Sequence, residues 1–287
     1  MPKYTSFKPS EAKNSKSNST IFSTENAIVM GILNVTEDSF FDGGKYANDQ
    51  AIISRCKKML EEGASIIDIG AQSSRPGATL IQADDELLKL LPIIKLLKTE
   101  FPDIIISIDT FWAKTAKQSI EAGAHIINDI SAGEMDTTMF DTIAQLQVPY
   151  IIMHMQGTPQ NMQKNPTYNN VVTEVISYFN KKINQLKVKG IEQIIIDPGF
   201  GFGKMLEHNY QLLNNLEQFN QFEIPVLIGT SRKSMIYNLL DTNPDNALNG
   251  TSITNTMALQ KGASILRVHD VKEAMECIKI TTFAKNL

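Results

Sequence analysis

The chain has 287 residues, of which 42% are hydrophobic and 20% charged, the make-up of an ordinary globular protein. Its formal net charge is -4, so there is no overall basic excess, nucleic acid is excluded as a general partner, and any anion site must be local. Cys56 and Cys277 are the two cysteines; they sit far apart and outside any CxxC or Cys/His cluster, which argues against structural zinc and for buried free thiols in a reducing compartment.

In chain order, the polar stretch "MPKYTSFKPSEAKNSKSNST" comes first. It lacks the apolar core of a secretory signal, and residues 1–26 read as a mobile tail, with a transit peptide as the alternative, ahead of one domain spanning 27–287. No apolar run approaches the ~20 residues of a membrane span, so no membrane partner is expected. From residue 27 the pattern alternates. Eight short β-branched runs occur at 27–33, 65–70, 104–109, 125–129, 149–153, 193–197, 225–229 and 264–268. Each is apolar nearly throughout, as parallel strands covered on both faces are. Helical periodicity lies between them: Ile52, Cys56, Met59 and Leu60 share one face, as do Leu87, Leu90, Leu91, Ile94 and Leu97, and later Leu212, Leu213, Leu216 and Phe219. Eight strand–helix units with short links predict an α/β fold, a single (β/α)8 TIM barrel; a doubly wound open sheet is the alternative. Gly63, Gly123 and Gly262 each precede an alanine and a strand, and read as helix-ending glycines. They set the direction of travel and place the residues after each strand at the barrel's C-terminal face, where barrel enzymes build their sites.

The strand ends are rich in polar side chains. They run Asn34; Asp68 into "GAQSSRPGA"; Asp109; Asn128-Asp129; "MHMQG"; "DPGFGFGK"; "GTSRKS"; and "RVHD". A convergent set of this kind predicts a pocket, and it sorts into three chemistries. Asp109, Asn128 and Asp197, from separate strands, can meet the amino and amide edges of one polar heterocycle, with Ile130, Met153 and Phe202 as flat apolar walls. Arg75, Arg267 and His269, with Asn34, can hold a polyanion and a metal; Mg²⁺ keeps several waters and takes phosphate oxygens as ligands, so one asparagine is a credible protein contribution. Ser231, Arg232 and Lys233 open a helix, and a carboxylate can sit on Ser231 and the N–H groups there.

Each residue also has a plainer reading. A strand-end Asp can be an N-cap. His154 can be a satisfied core histidine, Arg232 a surface ion-pair partner, Lys233 a cap on a neighbouring carbonyl, and Asp68 a support of the barrel interior. "GFGFGK" matches neither the spaced dinucleotide fingerprint nor a Walker loop, and alone indicates a tight turn. The first loop, "TEDSFFDGG", is harder to explain as a turn, because two adjacent phenylalanines have no role there.

Taken together, "MGILNVTEDSFFDGG", "DIGAQSSRPGA", "ISIDT", "AHIINDISAG", "IIMHMQG", "IIIDPGFGFGK", "TSRKS" and "ILRVHDV" resemble, in order, the signatures of the dihydropteroate synthase family. The resemblance covers about residues 28–283 and implies a cytoplasmic, homodimeric (β/α)8 transferase of folate biosynthesis. It implies condensation of 6-hydroxymethyl-7,8-dihydropterin diphosphate with 4-aminobenzoate to 7,8-dihydropteroate and pyrophosphate, with Mg²⁺, and competition by sulfonamides. Carried over by position, pterin contacts fall on Asp109, Asn128, Asp197 and Lys233, with Ile130, Met153, Phe202 and Gly229 lining the slot. Diphosphate contacts fall on Asn34 (through Mg²⁺), Arg75, Arg267 and His269. The 4-aminobenzoate pocket falls on Phe40, Ser74, Pro76, Ser231 and Lys233. Asp42, Asp109 and Lys233 are the implied catalytic residues, and the first loop is expected to close over the site.

The chain departs from the family pattern at Glu37, Phe41, Gln72 and Phe111, and in the polar stretch "GTSITNTMAL". Two other functions fit parts of the pattern. A pterin-binding methyltransferase would use the Asp109/Asn128/Asp197 slot but has no need of Arg75, Arg267 and His269. A pterin-binding module without catalysis has no leaving group for them to stabilise.

Overall fold

Eight short runs become eight strands, each followed by helix. In the computed structural model, which describes residues 27–35, 44–72 and 80–287 and only the backbone of 44–47, the order is β1 (Ile28–Asn34), α1 (Gly44–Glu61), β2 (Ile66–Gly70), α2 (Ala83–Glu100), β3 (Ile106–Asp109), α3 (Ala113–Glu121), β4 (Ile126–Asp129), α4 (Met139–Leu146), β5 (Tyr150–Met153), α5 (Val171–Val188), β6 (Ile194–Asp197), α6 (Leu206–Asn214), β7 (Leu227–Ile228), α7 (Ser234–Tyr237), α8 (Leu248–Gln260), β8 (Ile265–Val268) and α9 (Val271–Lys285). The tail at 1–26 lies outside the described residues. All strand pairs are parallel, in the order β6-β5-β4-β3-β2-β1-β8-β7. Between β6 and β7 a parallel bridge joins Ile196 to Val226, and the Ile196 N–H donates to the Pro225 carbonyl at 3.1 Å. The sheet thereby closes into the (β/α)8 barrel, and the open-sheet alternative falls.

Two elements are shorter than their patterns predict. The run at 225–229 yields a two-residue β7, because Pro225 has no N–H to give a ladder. The periodicity from Leu212 to Phe219 is not one helix: α6 stops at Asn214 and a 3-10 segment, Leu216–Phe222, carries Leu216 and Phe219 into the core. The three helix-ending glycines behave as read. Gly63, Gly123 and Gly262 have φ of 108°, 111° and 97°, open to glycine without strain.

Successive residues of a strand face opposite sides of the sheet, and the barrel therefore has two cores. The outer one packs strand residues such as Leu33, Ile67, Ile108, Ile152 and Leu266 against Ile52, Cys56, Met59, Leu90, Ile94 and Leu97 of the surrounding helices. The inner one is a single apolar layer: Met30, Ile66, Ile105, Ile126, Ile151, Ile195, Leu227 and Ile265, one from each strand or its first flank. The side chains two and four residues further along each strand belong to the same inward rows. They include Asp68, Asn128, Met153, Asp197, Gly229 and Arg267, and then Asn34, Asp109, Ile130, Ser231 and His269. An apolar plug thus fills the lower barrel, and the polar strand ends stand above it at the C-terminal mouth.

Candidate functional site

Arg267 organises the mouth. Its Nε donates to Asp68 Oδ2 at 2.7 Å, and its Nη2 donates to Asp109 Oδ2 at 2.7 Å. Asn128 Nδ2 donates to the same Asp68 oxygen at 3.1 Å. Asp68, read as a support of the barrel interior, is fully buried and joins a residue assigned to the pterin slot, Asn128, to one assigned to the diphosphate, Arg267. Burial pushes the Asp109 carboxyl up to about 7, against the pull of Arg267. The guanidinium is held above its ordinary value by Asp68 and Asp109 despite burial, so it stays a cation. Asp109 caps no helix; Trp112 stands at the N-cap of α3.

A second cluster surrounds Lys233. Its Nζ donates to the Phe200 carbonyl at 2.6 Å, as the plainer reading supposed, and lies 4.5 Å from the centre of the Phe202 ring, a cation–π contact. Burial lowers the ammonium to about 8, with Asp197 acting to keep it charged. Asp197 Oδ1 accepts from the Gly199 N–H at 2.7 Å. A Cβ built on Gly229 would lie at ordinary contact distance, 3.8 Å from Lys233 Nζ and 4.0 Å from an Asp197 oxygen, so Gly229 sits against both groups. Ile130, Met153 and Phe202 belong to one apolar cluster with Met155, Met162 and Phe111. Phe111, one of the departures, is fully buried in that wall, its ring 5.0 Å from that of Trp112.

The third group differs from its reading. The helix after Lys233 is only four residues, Ser234–Tyr237, too short to present a row of free N–H groups and a dipole to a carboxylate. Ser231 Oγ instead lies 3.0 Å from His269 Nδ1 and accepts from the His269 N–H at 3.2 Å. Burial and Arg267 lower the His269 imidazole to about 4, which favours the neutral ring over the cation in the free protein. Arg232 is an ion-pair partner: it holds Asp270 by two bonds of 2.8 and 2.9 Å, in a left-handed conformation at φ 55°. The polar residues of "GTSITNTMAL" support this loop. Thr251 Oγ1 accepts from the Arg232 N–H at 3.1 Å, and Thr254 bonds Thr230 at 3.0 Å. Gln72 Oε1 accepts from the Ile81 N–H at 2.9 Å, joining the two ends of the β2–α2 loop.

Asn34 is exposed at the top of β1, in register with Gly70. Among the described residues no cluster of His, Cys, Asp and Glu could hold a metal. One amide oxygen at Asn34 would suit only a hard ion that takes most of its ligands from water and phosphate oxygens. Asp42, Phe40, Ser74, Arg75 and Pro76, with Glu37 and Phe41, lie outside the described residues.

Two buried groups were missed in sequence. Glu86 of α2 accepts from Thr110 Oγ1 at 2.6 Å, directly behind Asp109. Lys204 is buried under the Phe202 loop, bonded to His154; the plainer reading of His154 as a satisfied core residue is what the structure shows. Glu86 sits in "ADDELL", where acids open a helix, and nothing local marks it as inward.

Residues 30–269 match the family model described as pterin binding enzyme. The chain belongs to this family. It is 42% identical over 254 residues to the dihydropteroate synthase of Escherichia coli K12, spanning 88% of this chain and 89% of that one. A Yersinia pestis dihydropteroate synthase solved with a sulfonamide drug superposes with a TM-score of 0.86 at 40% identity, over 92% of this chain and 96% of that one. One from Xanthomonas albilineans solved with 4-aminobenzoic acid gives 0.85 at 36% identity, over 92% and 95%. Within the pterin binding enzymes the chain therefore falls among the dihydropteroate synthases, and the barrel expected from its strand pattern is theirs.

Two expectations follow from the buried charges. Arg267→Met leaves Asp68 and Asp109 without their cation and lowers stability by about 3–5 kcal/mol. Adding Asp68→Asn recovers part of that loss, so a double-mutant cycle by urea unfolding gives a clear coupling; strict additivity would contradict the shared network. The second concerns Glu86. Burial raises its carboxyl from 4.5 to about 7, so the neutral form is favoured in the fold. That contribution is complete below 4.5 and is lost as pH rises to about 7. Relative to Glu86→Gln, which cannot titrate, the native chain should lose about 3 kcal/mol across that window. Parallel stability–pH curves would show that Glu86 does not titrate there.

Proposed function

We propose that this chain condenses 6-hydroxymethyl-7,8-dihydropterin diphosphate with 4-aminobenzoate to give 7,8-dihydropteroate and pyrophosphate, a transferase step of folate synthesis. The observation that supports the reading is that a first set, Asp109, Asn128, Asp197 and Lys233, is linked to a second, Arg267 and His269: Arg267 and Asp68 join Asp109 to Asn128, Lys233 feels Asp197 and lies over the Phe202 ring, and Arg267 acts on His269. A planar heterocycle with amino and amide edges suits the first set, and an anionic leaving group suits the second. The named ligands of the Yersinia and Xanthomonas structures, a sulfonamide and 4-aminobenzoic acid, support the second substrate and its competitor here.

The residues then act as follows. The methylene C–O bond breaks first, and its electron pair leaves with the diphosphate. Arg267 has spent two N–H donors on Asp68 and Asp109, and a guanidinium has five, so donors remain for the leaving oxygens. His269 adds its Nε2–H in the tautomer whose Nδ1 accepts from the Ser231 hydroxyl. These preplaced donors stabilise charge as it develops. Asp109, with Asp42 of the first loop, stabilises the cationic pterin methylene. Lys233 and Asp197 hold the heterocycle and Phe202 covers its face. The amine of 4-aminobenzoate attacks the methylene and releases a proton, and no covalent enzyme intermediate forms. Mg²⁺, held through Asn34 and the diphosphate, would neutralise leaving-group charge. Arg75 completes that set, and Phe40, Ser74, Pro76 and Ser231 form the 4-aminobenzoate pocket under the closing first loop.

The enzyme works in the cytoplasm, a reading supported by the two buried free thiols, Cys56 and Cys277. Among the described residues no helix is long and apolar enough to cross a membrane. It works as a homodimer, supported by Ile253 on α8 and Ile280 and Phe283 on α9, which leave an apolar face 53%, 68% and 70% exposed. Sedimentation equilibrium should read two chains, and Ile280→Asp should return one; a native monomer would end that assignment.

The deciding assay is pyrophosphate release from the dihydropterin diphosphate, with and without Mg²⁺ and 4-aminobenzoate. Release coupled to dihydropteroate, and abolished in Arg75→Ala, is the expected result. Pterin binding without release would move the chain to methyl transfer or to simple binding.

A further inference from the structure

The loop from Gly199 to Lys204 is held far more tightly than a tight turn requires. Five consecutive carbonyls accept hydrogen bonds. Gly199 O takes the Phe202 N–H at 3.1 Å and Lys204 Nζ at 2.9 Å. Phe200 O takes Lys233 Nζ at 2.6 Å, and Gly201 O takes Gln163 Nε2 at 2.6 Å. Phe202 O takes Lys204 Nζ at 3.1 Å, and Gly203 O takes the Tyr168 hydroxyl at 2.7 Å. The loop also lies hard against the segment after β5. A Cβ on Gly199 would collide with the His154 carbonyl and one on Gly203 with the Gln156 carbonyl, and both glycines have positive φ.

Lys204 is the centre of this arrangement. It is 4% exposed. Besides the two loop carbonyls, its Nζ donates to the His154 carbonyl at 3.2 Å and lies 3.0 Å from His154 Nδ1. An ammonium has donors and no acceptor, so Nδ1 must accept and the His154 proton sits on Nε2. Burial pulls the ammonium down to about 7, while the nearby Asp197 acts to keep it charged. The two residues at the free side of the loop are functional in the reading above: Phe202 is the wall of the slot and the Phe200 carbonyl anchors Lys233.

We propose that Lys204 is a positioning residue for the pterin slot: its buried ammonium, surrounded by His154 and three backbone carbonyls, ties the β5 and β6 loops together and sets the Phe202 ring and the Phe200 carbonyl against Lys233. The inference rests on the pterin reading of that slot. It assigns to the lysine of "GFGFGK" the work a bound cation does elsewhere, which is to gather carbonyls that would otherwise repel one another. Lys204 does not touch substrate.

The test uses 6-hydroxymethylpterin, which lacks the diphosphate and so reports the slot alone. In Lys204→Met, loss of the donors should weaken pterin binding by about tenfold and raise the KM for the pterin diphosphate more than it lowers kcat. Lys204→Gln keeps an uncharged NH₂ donor group and should fall between; it is the variant to measure if Lys204→Met does not fold. Ile143→Ala, in the outer core at α4, serves as a comparison: it should lower the unfolding temperature and leave pterin affinity unchanged. Native-like pterin affinity in the Lys204 variants overturns the positioning role. Failure of the native chain to bind the pterin overturns the reading beneath it, and the two failures are distinct.

Discussion

One geometric constraint underlies everything at the mouth of this barrel. In a closed parallel sheet, alternate residues of each strand point to the axis. Once the layer from Met30 to Ile265 fills the lower barrel, the residues two and four positions further on must line whatever lies above it. The side chains there are carboxylates, amides, an arginine, a histidine and a glycine. Burying them is unfavourable unless they are paired or hydrogen-bonded, and the fold supplies the pairing across strands.

Arg267 carries most of that pairing. With one face it neutralises Asp68 and Asp109, from two different strands. Asp68 in turn orients Asn128. A lysine in its place would be a point charge without the planar fork that reaches two carboxylates at once. These strand-end side chains are therefore held in place by one another, and preorganised charge of this kind is what the proposed reaction needs. The same logic holds around Lys233, where Asp197, the Phe200 carbonyl and the Phe202 ring each satisfy part of one ammonium.

Much of this was legible in the sequence. The eight runs, the helix-ending glycines and the polar strand ends are local signals, and each maps to an element or an end. Parity was legible too: counting by twos from Ile66, Ile126, Ile195 and Ile265 selects Asp68, Asn128, Asp197 and Arg267. What could not be read was pairing. Nothing near Arg232 announces Asp270, 38 residues away, and nothing near Ser231 announces His269. Nor did the local pattern give the length of the helix after Lys233, which is four residues, Ser234–Tyr237.

By itself the sequence determined the strands, the direction of the barrel and the chemical inventory of its mouth, because strand period and side-chain type are local properties. The tertiary structure decided which charges neutralise one another, that His269 is neutral while Arg267 is not, and that Glu86 and Lys204 are buried beside the site. Those outcomes depend on distance and desolvation between residues far apart in the chain, and both exist only once the barrel has closed.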